Sequence, residues 1–167
     1  MRILLICEAF RSIGGVQEVV DNLAAELLAA GHHAAILSTA FVAGRERSIR
    51  FNGECRYLEI PSRQSVSLRH LERLVRSRRP ANIRNLAAAI AEFEPQLVSS
   101  HCWSWDRFPT IADACAQAGV PWVQTLYDSW GSGRMGADAL SSLNDARALT
   151  ALSEATKRYF EPIVPSV

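Results

Sequence analysis

The sequence is poor in the residues that mark several common protein classes. It holds four cysteines in 167 residues: Cys7, Cys55, Cys102 and Cys115. They are widely spread and none forms a C-x-x-C pair, which argues against a disulfide framework and for a reducing compartment. The spacings of a metal site, H-E-x-x-H or paired Cys/His, are missing as well. His32 and His33 stand at a turn into a strand, where a structural or solvent role is expected. No apolar run approaches the ~18 residues that a membrane helix needs. The opening MRILLICEAF is interrupted by Glu8 and lacks the h-region and small-residue cleavage site of a signal peptide. Lys157 is the only lysine, so a P-loop, which needs G-x-x-x-x-G-K-[ST], is absent. A net charge of +1 gives the whole chain no nucleic-acid signature. What remains is one domain over residues 1–167, expected in the cytoplasm.

Nearly half of the residues are hydrophobic, and their spacing is informative. Ile3–Cys7 is a short continuous apolar run, the pattern of a strand buried on both faces. Val16, Val19, Val20, Leu23 and Leu27 then recur as one face of a helix, which Gly31 is placed to end in the left-handed conformation. His33–Thr39 reads as a second strand. The alternation continues with a strand at Cys55–Ile60 and a helical face at Ile83, Leu86, Ile90 and Phe93 that stops at Glu94-Pro95. A strand at Gln96–Ser100 follows, then a third helical face at Phe108, Ile111, Ala112 and Cys115. The last strands are Trp122–Leu126 and Arg147–Leu152, with a short helix between them. Ser153 is placed to N-cap a final helix. Strands alternating with helices imply an α/β, Rossmann-like three-layer domain with a mostly parallel sheet, Ile3–Cys7 at its centre.

In such a sheet, ligands gather beyond the carboxyl ends of the strands. The loops there are Glu8–Gly15, Ser100–Arg107, Tyr127–Gly136 and Ser153–Glu154. They collect His101, Trp103, Trp105, Asp106, Tyr127, Asp128 and Trp130. Gly14 and Gly15 open the first helix, so they either let backbone N–H groups approach an anion or serve a turn with positive φ. The dinucleotide pattern G-x-G-x-x-G does not follow the first strand, and the second strand ends Ser38-Thr39 rather than on an acid. A nucleophile elbow G-x-S-x-G is absent. Cys102 beside His101 is a poor thiol–base pair, because neighbours in a strand point apart.

The stretch MRILLICEAFRSIGGVQEVVDNLAAELLAAGHHAAILST resembles the start of family-four glycosyltransferases of the GT-B fold, with their Gly-Gly-Val loop and Leu-x-x-x-Gly-His helix end. PQLVSSHCW is similar to their Pro-Asp-Val-Val-His-x-His strand end, GVPWVQTLYDSW to Gly-Val-Pro-Val-Val-x-Thr-x-His-Asp, and ALTALSEATKRYF to their Val-Ser-Glu strand end and helix. The resemblance runs through nearly the whole chain in order. It implies the N-terminal, acceptor-binding domain of a bacterial retaining enzyme that transfers a sugar from a nucleotide diphospho-sugar, a co-substrate, with no other cofactor. By position, Gly14 and Gly15 would meet the donor's diphosphate. His101, Tyr127 and Asp128 would carry the catalytic contacts, with Glu8, Trp103 and Trp105 on the acceptor side. Ser153 and Glu154 match the Ser-Glu pair.

This sequence departs from the pattern at two places. Ser99 stands where the first histidine of the pair is usual, and Tyr127 where a histidine faces the transferred sugar. A phenol still makes hydrogen bonds but does not titrate near neutral pH. The family's Glu-x7-Glu motif is absent, so a C-terminal donor-binding domain is expected outside these residues. From Arg63 to Arg84 there are seven arginines and one acid, Glu72, and Leu68, Leu71, Leu74 and Val75 are spaced for a short amphipathic helix. Three readings stand for it: a solvated face, a peripheral contact with the inner face of an anionic membrane, or a site for a phosphorylated acceptor. The alternative function is a non-catalytic Rossmann-like module that binds a phosphorylated ligand or a partner protein.

Overall fold

The apolar run at the start of the chain forms β1 (Arg2–Cys7), buried from Ile3 onward. The computed structural model describes residues 1–7, 15–38, 49–52, 55–59, 86–102, 105–127 and 135–164. After β1 come α1 (Gly15–Ala29), β2 (His33–Ser38), β3 (Ile49–Asn52) and β4 (Cys55–Glu59). A helix described over 86–93, here α2, leads into β5 (Leu97–His101). A 3₁₀ turn at Trp105–Arg107 opens α3 (Phe108–Ala118), followed by β6 (Trp122–Leu126), α4 (Ala137–Asn144), β7 (Ala148–Ala151) and α5 (Glu154–Phe160).

The strands form one seven-stranded sheet in the order β3-β4-β2-β1-β5-β6-β7. All neighbours are parallel except β3, which runs antiparallel to β4. β1 is flanked by β2 and β5, as the sequence pattern requires, because its residues find helices on both faces. Ile3, Leu5 and Cys7 join Val20 and Ala24 of α1. Leu4 and Ile6 join the apolar faces of α2, α3 and α4. Leu4, Leu5 and Ile6 are fully buried, each contributing roughly 1.5–3 kcal/mol of transfer free energy.

Two details differ from the sequence reading. The buried line of α1 runs through Gln17, Val20 and Ala24, with Val19 36% exposed. At ~100° per residue Val19 lies roughly 130° from the centre of that line, outside the buried face. The hairpin strand β3 is an addition: IRFN alternates apolar and polar residues, but over only four positions, the shortest run that reads as a strand. Its partner β4 sits beyond β2.

The local signals act where expected. Gly31 and Gly119 take φ of 78° and 66°, the left-handed conformation that ends a helix at little steric cost in glycine. The Gly119 N–H bonds back to the Ala116 carbonyl at 3.2 Å. Ser153 Oγ accepts from the Thr156 N–H at 3.1 Å and caps α5. Leu86, Ile90 and Phe93, and Phe108, Ile111, Ala112 and Cys115, are buried as their spacing required. Among the described residues no helix is long and apolar enough to cross a membrane. The arginine-rich stretch 63–84 lies outside the described residues.

Candidate functional site

Parallel order brings the carboxyl ends of β1, β5, β6 and β7 to one edge of the sheet. Cys7 ends β1 in register with His101 at the end of β5. Tyr127 follows β6 directly, and the Leu152 N–H, just past β7, donates to the Leu126 carbonyl at 3.0 Å. Because register partners share a face, Ser99 and His101 lie on the same side as Leu5 and Cys7, the α1 side. Ser100 lies on the opposite side, with Ile6.

His101 is the centre of this edge and is 3% exposed. Its Nε2 is 3.0 Å from Ser99 Oγ, and its Nδ1 is 2.5 Å from the Tyr127 hydroxyl. The two rings are tilted by 54° with centroids 5.9 Å apart. Burial lowers the His101 pKa to about 4, so the imidazole is neutral, with one N–H to donate and one nitrogen to accept. Two proton arrangements satisfy the chain. Either Tyr127 donates to Nδ1 and Nε2–H donates to Ser99, or Ser99 donates to Nε2 and Nδ1–H donates to Tyr127. The second leaves the Tyr127 hydroxyl hydrogen free to point outward; the first leaves its lone pairs. Burial, and then the nearby Cys7 and Cys102 thiols, push the Tyr127 hydroxyl above its ordinary value, so it stays protonated.

His101 and Tyr127 are therefore brought together, but with distinct placement. His101 has both nitrogens engaged inside the protein, and half-buried Tyr127 is the member nearer solvent. Gly15 opens α1, where a Cβ would meet nothing within 4 Å among the described residues and φ is not in the left-handed region. Among the described residues, neither backbone conformation nor packing requires glycine there, which fits a close approach to the helix N-terminus. Trp105 is partly buried against the core. Its ring meets Phe108 edge-on at 5.7 Å and Phe160 at 5.9 Å, so it seats the 3₁₀ turn on α3 and α5. Ser153 Oγ is occupied as the α5 cap, while the exposed Glu154 carboxylate pairs with Arg158 at 3.3 Å. Glu8, Gly14, Trp103 and Asp128 lie outside the described residues, as do Trp130 and the Asp106 side chain.

The sequence reading passed over Gln124, a fully buried glutamine in β6. Its Nε2 donates to the Cys102 carbonyl at 3.0 Å and to the Thr125 carbonyl at 2.7 Å. The signal was a lone amide inside the apolar strand WVQTL, since a buried amide needs partners. Cys7, Cys102 and Cys115 are buried and take part in no disulfide, and burial raises the Cys115 thiol to about 12. Among the described residues, no group of three or more His, Cys, Asp or Glu side chains could hold a metal ion.

Comparison with known proteins agrees with this fold. No curated protein sequence matches. Among solved structures, the lipopolysaccharide outer core galactosyltransferase WaaB in its apo form is 18% identical with a TM-score of 0.66, covering 98% of this chain and 42% of that one. Sucrose-phosphate synthase from Thermosynechococcus elongatus is 17% identical with a TM-score of 0.70, covering 98% and 45%. An E. coli trehalose-6-phosphate protein bound with UDP-2-fluoro glucose is 10% identical with a TM-score of 0.64, covering 96% and 42%. The likeness is one of fold, and the chain spans less than half the length of these proteins. The fold is that of the N-terminal half of a GT-B glycosyltransferase, and since the model of Glycosyltransferase Family 4 matches residues 13–165, the chain belongs to that family.

Proposed function

We propose that this chain is the acceptor-binding domain of a retaining glycosyltransferase that takes a sugar from a nucleotide diphospho-sugar. The observation that carries the reading is the His101–Tyr127 pair at the carboxyl edge of the sheet, in a chain whose first helix opens on a glycine that no other described residue crowds. Backbone N–H groups at Gly14 and Gly15 would hold the donor diphosphate, where the helix dipole favours negative charge. Tyr127 and Asp128 would face the transferred sugar, with His101 setting the Tyr127 hydroxyl. Glu8 and Trp103 would lie on the acceptor side; Trp105, packed on Phe108 and Phe160, would support that side from beneath. Tyr127 stays protonated and so offers a neutral hydrogen bond, not a base. Catalysis would come from holding two substrates in line across a cleft. No cofactor beyond the donor is needed.

The reading requires a second, donor-binding domain. It also fits a bacterial enzyme working in the cytoplasm. Arginines 63–84 would hold it at the inner face of an anionic membrane, each basic residue adding ~1 kcal/mol near the surface. Co-sedimentation with anionic vesicles, lost when Arg73, Arg76, Arg78 and Arg79 are changed to Gln, supports that contact; equal binding without them removes it. The test of the main reading is release of nucleoside diphosphate from a panel of nucleotide sugars. Turnover is expected from the chain joined to its donor-binding domain and not from residues 1–167 alone. Robust turnover by residues 1–167, or none by the two-domain protein with any donor and acceptor, overturns it. The second outcome would favour a non-catalytic module binding a phosphorylated ligand or a partner protein, a reading to which Tyr127 in the usual histidine's place lends support.

A further inference from the structure

The backbone ladder between β5 and β6 is short. It pairs Val98 with Trp122, Ser99 with Val123 and Ser100 with Gln124, and ends there. His101 and Tyr127 lie past this last pair, so the two strand ends that carry the site have no mutual ladder to hold them. Two side-chain bonds span the gap instead. One is His101 Nδ1 to the Tyr127 hydroxyl. The other is Gln124 Nε2 to the carbonyl of Cys102, the residue next to His101.

These two bonds lie on opposite faces of the sheet. His101 is on the α1 face, in register with Cys7. Gln124 is in register with Ser100, itself in register with Ile6 on the α2–α4 face. A strand end held on one face can pivot about that contact; one held on both faces cannot. The orientation of the amide is fixed, because both of its partners are carbonyl oxygens and only the NH₂ group can donate to them. The Thr125 carbonyl, the second acceptor, lies two residues before Tyr127. Gln124 is fully buried, and its Oε1 and Ser100 Oγ have no hydrogen-bond partner among the described residues. An apolar residue would suit the site better if packing were all it had to provide.

We infer that Gln124 is a positioning residue. Its side-chain amide takes over where the β5–β6 ladder stops and fixes the strand end bearing His101 against the strand end bearing Tyr127. The positioning itself is a property of the unliganded chain. Only its consequence for sugar transfer rests on the function proposed above.

The experiment compares Gln124→Met, which keeps the length of the side chain but cannot donate, with Ser100→Ala, which alters the same buried neighbourhood without touching the bridge. Ring ¹⁵N shifts of His101 are followed across pH. In Gln124→Met the His101 midpoint should move up from about 4 toward the ordinary histidine value of ~6.5 and the Nδ1 hydrogen-bond signature should weaken, while Ser100→Ala matches the parent. Unchanged His101 signals in folded Gln124→Met overturn the inference. Should that variant fail to fold, the parent protein decides: Gln124 side-chain amide protons exchanging as slowly as the β6 backbone amides support the bridge, and exchange at the rate of a surface glutamine overturns it. In the two-domain enzyme, Gln124→Met should lower kcat several-fold with little change in KM for the donor, and adding Tyr127→Phe should cost little more. A displaced His101 with unchanged turnover would leave the positioning intact and count against the role given to Tyr127.

Discussion

The neutral, buried His101 makes the stability of this domain depend on pH in a defined direction. In the unfolded chain a histidine binds a proton near 6.5; in the folded protein His101 does so only near 4, because burial penalises the charged ring. The folded value is depressed, so protons bind the unfolded chain preferentially between the two values. Stability from this group is fully present above about pH 6.5. It is lost as the pH falls from there to about 4, and below 4 it falls no further. The gap is worth about 3 kcal/mol at ~1.4 kcal/mol per pH unit. That is a large share of the ~5–15 kcal/mol by which domains are usually stable. In a domain of this length it corresponds to a loss of about 6–12 °C in Tm.

The assay is denaturant unfolding at intervals from pH 7.5 to 3.5, under reducing conditions, for the parent and for His101→Gln. The variant loses some stability at neutral pH because Ser99 and Tyr127 lose their ring partner. Its pH dependence, however, contains every titrating group except His101. Subtracting the two curves should leave a fall of about 3 kcal/mol confined to the interval between 6.5 and 4. Parallel curves across that interval would refute the reasoning, since the imidazole would then be protonated equally easily in both states. A difference lying above pH 7 would refute it too, because it would mean a raised rather than a lowered histidine.

Three further outcomes follow from the site. Tyr127→Phe removes the partner of His101 Nδ1 and leaves a buried polar atom unpaired, so unfolding at pH 7 should show a loss of about 1–3 kcal/mol; combined with Ser99→Ala, the deviation from additivity reports the coupling through the shared ring. Gly15→Ala should leave stability unchanged or raise it by up to about 1 kcal/mol, because a Cβ meets nothing there and alanine favours the helix; in the two-domain enzyme Gly15→Leu should raise KM for the donor while Tm stays put. Ser153→Ala removes the α5 cap bonded to the Thr156 N–H and should cost about 1 kcal/mol by chemical denaturation.

The fold was legible because its signals are local or periodic. A run such as ILLIC permits burial on both faces, and Gly31, Gly119 and Ser153 mark helix ends by backbone conformation and hydrogen bonding. The face of α1 was partly misread, because a hydrophobic residue such as Val19 can sit on a flank while Gln17 turns inward. β3 was hard to read because the alternation in IRFN lasts only four residues. At the site, His101 and Tyr127 were visible as polar residues at strand ends, but their bond depends on the parallel register of β5 and β6. Gln124 was hidden for the same reason, since its acceptor at Cys102 lies 22 residues away in sequence.

That register gives the two departures from the family pattern a common explanation. Ser99 and Tyr127, which stand where the family resemblance leads one to expect histidines, are the two hydrogen-bond partners of a single imidazole. A neutral histidine must donate at one nitrogen and accept at the other, and a hydroxyl can do either. With a hydroxyl at each end, His101 is satisfied in both tautomers, and Tyr127 can turn either its hydrogen or its lone pairs outward with no nitrogen of the ring left unpaired. An apolar side chain at 99 or 127 would leave the ring nitrogen facing it unpaired, at a cost of about 1–3 kcal/mol. The chain is closed, with Ser99 9% and His101 3% exposed. The two replacements therefore act as one unit. In place of a titratable histidine they set a neutral hydroxyl at the sheet edge, one whose donor or acceptor sense is set by the tautomer of the ring behind it.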